Sequence, residues 1–82
     1  MVVRAVTLVS VKPGMLKHVL GEVEKLKLVH RYATITGEYD ILVEVEADNV
    51  EQLHDLVLSG LDRITGIAQT NTHIILKDLR NE

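Results

Sequence analysis

The sequence predicts an α+β fold of four strands and two helices, in the order strand-helix-strand-strand-helix-strand. Three observations carry this. β-branched residues cluster in four short runs. Between them lie two stretches whose apolar residues recur every three or four positions, as on one face of a helix. Gly and Pro stand at the junctions, at Pro13-Gly14, Gly37 and Gly66. With 82 residues the chain has room for one core, so residues 1–82 are expected to form a single domain.

The first strand is expected over Val2 to Val11, where Val2, Val3, Val6, Thr7, Val9 and Val11 make both faces apolar. Lys12-Pro13-Gly14 ends it. A helix should then run from Met15 to about Leu26, with Leu16, Val19, Leu20, Val23 and Lys27 on one stripe. Leu28 to Thr36 returns to strand character, and Gly37-Glu38 fits a tight type II′ hairpin turn. In the third strand, Asp40 to Ala47, Ile41, Val43 and Val45 share one face while Leu42, Glu44 and Glu46 share the other. Asp48-Asn49-Val50-Glu51 has the form of a capping box, opening a second helix through Val50, Leu53, Val57, Leu61 and Ile64. After Gly66, Ile67 to Lys77 reads as the last strand, and Asp78 to Glu82 as a frayed tail.

This order is the split βαβ, or ferredoxin-like, βαββαβ arrangement: a four-stranded antiparallel sheet with two helices on one face. Right-handed crossovers put the first strand beside the third, with the second and fourth at the edges. The face away from the helices has no cover within the chain. Val6, Leu8, Leu42 and Ile75 are expected on it, and an uncovered apolar face calls for a partner.

Composition narrows the function. The net charge is -3 and the only aromatics are Tyr32 and Tyr39, a poor basis for nucleic-acid binding through phosphates or base stacking. The absence of cysteine removes disulfides, thiolate metal sites and thiol catalysis. No apolar run is long enough to span a membrane and no signal peptide opens the chain, so a cytoplasmic location is expected.

No nucleophile-base motif appears. Ser10, Ser59, His18 and His54 lack local activating partners, and His30 and His73 fall on strands placed apart. His18 and Glu22, four apart on a helix, are two ligands where a metal needs three or four, so a solvated pair is the simpler reading. Glu44 and Glu46 share a strand face and read as solvated or salt-bridged carboxylates. No metal, cofactor or catalytic residue is assigned. Pro13-Gly14 reads as a strand-to-helix turn, although a glycine there also opens backbone N–H groups to a ligand. The richest segment is Thr36-Gly37-Glu38-Tyr39-Asp40. It reads either as a polar hairpin or, gathered at one sheet edge with Pro13-Gly14 and Thr70-Asn71-Thr72, as a site for a small polar ligand.

The stretch Ala33-Thr34-Ile35-Thr36-Gly37-Glu38-Tyr39-Asp40-Ile41-Leu42-Val43-Glu44-Val45 resembles the signature of the RAM domain, the effector domain of the Lrp/AsnC feast/famine transcriptional regulators. Asp48 to Leu53 and the ending Gly66 to Leu76 fit the same pattern, and the resemblance runs from about Val3 to Lys77. It implies pairing through open sheet faces into homodimers, rings such as octamers, and an amino-acid effector held between dimers. Carried over by position, Gly37, Glu38, Tyr39 and Asp40 match the effector loop, and Thr70 and Thr72 match polar positions of the last strand. Asp40 then partners the α-ammonium group, and backbone N–H groups near Gly37 suit the α-carboxylate. The family's regulators carry a helix-turn-helix before this domain, whereas this sequence opens at its first strand. It is therefore similar to stand-alone RAM proteins, with no direct DNA binding and with full-length Lrp/AsnC regulators as possible partners in mixed assemblies.

Two other readings share the topology. Lys12-Pro13-Gly14-Met15-Leu16 is similar to the turn of ACT regulatory domains, though Lys12 stands where those usually have an acidic residue. A small ferredoxin-like enzyme, an acylphosphatase or isomerase, is the third. An acylphosphatase would need an Arg in an anion loop after the first strand, which Lys12-Pro13-Gly14 does not supply.

Overall fold

Strand β1 (Val3–Val11) is the spine of the computed structural model, which describes residues 2–79. It pairs antiparallel with β3 (Ile41–Ala47) on one side and β4 (Ile67–Ile74) on the other, while β2 (Val29–Thr34) pairs with β3, giving the order β2-β3-β1-β4. Helices α1 (Leu16–Val23) and α2 (Val50–Asp55) accompany it in the chain order expected of the βαββαβ fold. Some ends are shorter than the sequence suggested: α1 stops at Val23 and β4 at Ile74.

Register decides which face each residue meets. Val9, Ile41, Val43 and Val45 project to the helix side with Val19, Val23 and Leu61, and are essentially without exposed surface. Each such side chain contributes about 1.5–3 kcal/mol on leaving water. Thr7 is as deeply buried, and its hydroxyl bonds that of Thr72 at 2.9 Å, so the one buried polar side chain among the described residues is satisfied. On the opposite face Val6, Leu8, Leu42 and Ile75 remain partly exposed. The pairings Leu8–Leu42, Leu8–Asn71 and Ala33–Leu42 form one row across that face. Beside it runs a second row of His73, Val6, Glu44 and Arg31.

The turns hold three departures from expectation. The β2–β3 connection is wider than a two-residue hairpin: the Ile35 N–H donates to the Asp40 carbonyl at 2.9 Å, enclosing residues 36–39. The second helix is capped one residue later than the capping box suggested. Asn49, not Asp48, accepts from the Gln52 N–H at 2.7 Å, and Gln52 Oε1 accepts from the Asp48 N–H at 2.6 Å. Gln52 holds the third helical position that Glu51 was expected to hold. Beyond Asp55 the helix widens into a π turn over Leu56–Gly60, then tightens into a 3-10 turn over Leu61–Arg63. The Leu61 N–H is shared between the carbonyls of Leu56 and Val57. Leu61 and Leu53 reach the core, while Val50, expected on the same stripe, is exposed.

Gly66 joins the last turn to β4 at φ +102°, and a Cβ there would lie 2.8 Å from that of Met15. Its carbonyl accepts from Lys12 N–H at 2.7 Å, pinning the end of β1 to the start of β4. The expected tail falls partly outside the described residues. Within them, Asp78 is held by Arg4 at 2.6 Å.

Candidate functional site

At the far end of the sheet the hairpin loop meets the end of β1. Asp40 has three backbone or side-chain ties there. Its N–H donates to the Val9 carbonyl at 2.8 Å, its carbonyl takes the Ile35 N–H, and carboxylate Oδ2 accepts from the Val11 N–H at 2.7 Å. The last bond accounts for an Asp at the mouth of an apolar strand. A slip between Ser10 and Val11 disturbs the β1–β4 register, and Asp40 serves the Val11 N–H at that point. Oδ1 accepts no hydrogen bond among the described residues.

Gly37 sits at the loop tip at φ +108°, a conformation that a β-branched side chain resists. Gly37 and Glu38 are exposed, and Tyr39 and Asp40 are half-buried. The Tyr39 hydroxyl accepts from Asn71 Nδ2 at 3.3 Å, so the loop reaches over the sheet end to β4. Asn71 pairs with Leu8, which places this contact on the open face.

Thr70 and Thr72 belong to the other side. Thr72 meets buried Thr7, and Thr70 Oγ1 donates to Asp62 Oδ1 at 3.2 Å. The residues expected to converge are thus split by the sheet: Gly37 to Asp40 gather with Asn71, while Thr70 and Thr72 face the helices. Alternation along β4 separates them. Asn71, between the two threonines, is the β4 residue that reaches the loop, and period two along that strand was the signal for it. Pro13-Gly14 forms a turn closed by the Met15 N–H on the Lys12 carbonyl at 3.0 Å, which leads from β1 into α1.

The open face carries the main charges near the site's neighbouring rows. Arg31 grips Glu44 through Nε and Nη2 at 3.0 and 3.1 Å, and Arg4 bridges Glu46 at 3.5 Å. The Arg31 guanidinium, by hydrogen bond and charge, holds the Glu44 carboxyl below the usual carboxylate range against the opposing effect of partial burial. The expected reading of Glu44 and Glu46 as salt-bridged carboxylates matches these contacts. His18 and Glu22 gather no third ligand, and no group of three metal-binding side chains occurs among the described residues. No helix among them is long and apolar enough to cross a membrane.

A helix-backed sheet in the order β2-β3-β1-β4, with one bare face, defines a ferredoxin-like domain. The sequence profile described as the Lrp/AsnC ligand binding domain matches residues 4–82, and the chain belongs to that family. The HTH-type transcriptional regulator FL11 of Pyrococcus horikoshii is 36% identical over 74 residues, covering 89% of this chain and 48% of the regulator. The chain spans about half the length of the curated relatives it matches. Among solved structures, TTHA0845 of Thermus thermophilus superposes with a TM-score of 0.90 at 23% identity, covering 96% of this chain and 99% of that one. The transcriptional regulator NMB0573 of Neisseria meningitidis, solved as a complex with L-Met, gives a TM-score of 0.89 at 21% identity over 96% of this chain and 53% of its own. At these identities the two structures establish the fold.

Proposed function

We propose that this chain is an amino-acid-sensing assembly domain. Two copies pair through their open sheet faces. Pairs then meet near the 36–40 loop, where an amino acid binds and shifts the assembly. The observation that carries the reading is Asp40. One carboxylate oxygen anchors the loop to Val11, and the other accepts no hydrogen bond among the described residues, half-buried beside Tyr39. An amino acid leaving water needs its ammonium and carboxylate paired. Oδ1 supplies the acceptor, and the loop around Gly37 supplies backbone N–H groups. The loop is one wall, and a neighbouring pair supplies the second. The L-Met held by the Neisseria regulator supports an amino acid as the ligand class.

Pairing has its own support. The row of Asn71, Leu8, Leu42 and Ala33 is apolar at its centre, and the charges beside it are already neutralised in the Arg31–Glu44 pair. A standard interface buries about 800 Å² per partner. The chain acts in the cytoplasm, without catalysis, cofactor or DNA contact of its own, and influences transcription by assembling with itself or with full-length regulators of the family. The net charge of -3 supports the claim on DNA.

Isothermal titration against the twenty amino acids, with light scattering on the same samples, tests this. We expect at least a dimer at micromolar concentration and one or a few amino acids that bind and change the mass. A 9 kDa species that no amino acid alters would refute the reading. Specific footprinting of any promoter by the 82-residue chain would refute the claim on DNA.

A further inference from the structure

A second concavity lies on the helix side, away from the loop. Its volume is about 390 Å³, and α1 and the irregular end of the second helix form its walls. Leu26 and Ile64 line its apolar part. His18, Lys25, Arg63, Ser59 and Thr65 bring polar groups to it, and Glu22 is its one carboxylate. Lys25 already neutralises Glu22 at 2.8 Å. Arg63 has no ion-pair partner among the described residues. A chain of net charge -3 therefore gathers a local excess of positive charge at a concave surface, next to two hydroxyls.

The backbone points to the same place independently. Ser59 and Gly60, which line the concavity, belong to the π turn. Such single-turn widenings are rare and frequently fall at functional sites. Here the wide turn carries the chain from α2 into the 3-10 turn that bears Arg63.

We infer that this interhelical concavity binds a small anion, a carboxylate or a phosphate, with Arg63 as its principal partner. A guanidinium offers a planar fork of donors to either group. Ser59, Thr65 and His18 add single donors at the rim, and Leu26 and Ile64 accept a short apolar stem. The site shares no residue with the 36–40 loop, so it stands whether or not the loop binds an amino acid.

The test is amide chemical-shift titration of the 82-residue protein with sodium phosphate, with sodium propionate, and with sodium chloride at matched ionic strength. Saturable shifts at Ser59, Gly60, Arg63 and Thr65 in the millimolar range are expected for phosphate or propionate and absent for chloride. The probe that saturates identifies the anion class. Arg63→Gln should weaken that binding about tenfold, the scale of one charge-assisted hydrogen bond. Arg63 is exposed, so the variant should keep the parent's melting temperature and its spectrum elsewhere. Asp40→Ala, which tests the loop, should leave these shifts intact. Shifts that chloride reproduces, or that Arg63→Gln leaves unchanged, would overturn the inference.

Discussion

Along β3, neighbouring residues live in different surroundings. Ile41, Val43 and Val45 lie under the helices with almost no exposed surface, while Leu42 and Glu44, alternating with them, keep part of theirs. The helix side closes within one chain, down to the paired hydroxyls of Thr7 and Thr72. The other side holds an apolar row flanked by ion pairs and is closed by nothing among the described residues. The difference teaches that the fold closes on one face of these strands and leaves the other for the proposed assembly, so single substitutions can address one and spare the other.

The sharpest way to break that comparison is Leu61→Ala. Leu61 is fully buried on the helix side, and the substitution should cost about 2–5 kcal/mol of unfolding free energy. Urea denaturation measures it, and a cost below about 1 kcal/mol would mean that the core closes without Leu61. Leu8→Asp probes the open face. It should weaken association at least a hundredfold, about 2.7 kcal/mol, while circular dichroism stays native. Sedimentation at several concentrations reads the first effect. An unchanged dimer would place the interface elsewhere.

Asp40 lies where the faces meet, and two variants divide its roles. Asp40→Ala removes the acceptor for Val11 N–H and should cost about 1–2 kcal/mol, as well as weakening an amino-acid effector tenfold or more. Asp40→Asn keeps an acceptor for Val11 yet loses the charge. It should melt close to the parent while binding as poorly as the alanine variant. If Asp40→Asn binds like the parent, the carboxylate only ties the loop.

The smallest effect concerns acid. The folded-state pKa of Glu44 is depressed by Arg31, so the pair's stabilisation is complete above the ordinary glutamate value. It is lost as pH falls through the lowered folded value. Arg31 is open to solvent and Glu44 only half-buried, so screening keeps the pair's contribution small. Stability curves of Glu44→Gln and the parent should differ slightly at pH 7 and converge in acid. A gap that widens as pH falls would contradict the assignment.

Much of this was readable before the structure. Alternation along Ile41 to Ala47 assigned each residue its face, and the placement of Pro13-Gly14, Gly37 and Gly66 marked three of the junctions. The candidate loop could be found for a related reason: an Asp leading into an apolar strand conflicts with local propensity. Asn71 was gathered with Thr70 and Thr72 at the candidate site, but the family pattern assigned the site to the threonines, whereas alternation along β4 sets Asn71 on the loop's face and the threonines on the other. The buried Thr7 was read only as a strand former. Its hydroxyl is tolerable only because Thr72 sits opposite, 65 positions on.

The sequence by itself determined the element order, the strand order and the alternation of faces along β3. These follow from short-range periodicity and from the handedness of crossovers, and both are properties of local chain geometry. Only the tertiary structure decided that Asp40 bonds the Val11 N–H, that Asn49 rather than Asp48 caps the second helix, and that this helix widens at Leu56–Gly60. The physical reason is common to them. Each depends on where a donor is left without a partner or how two segments pack, and those quantities exist only once distant parts of the chain have met.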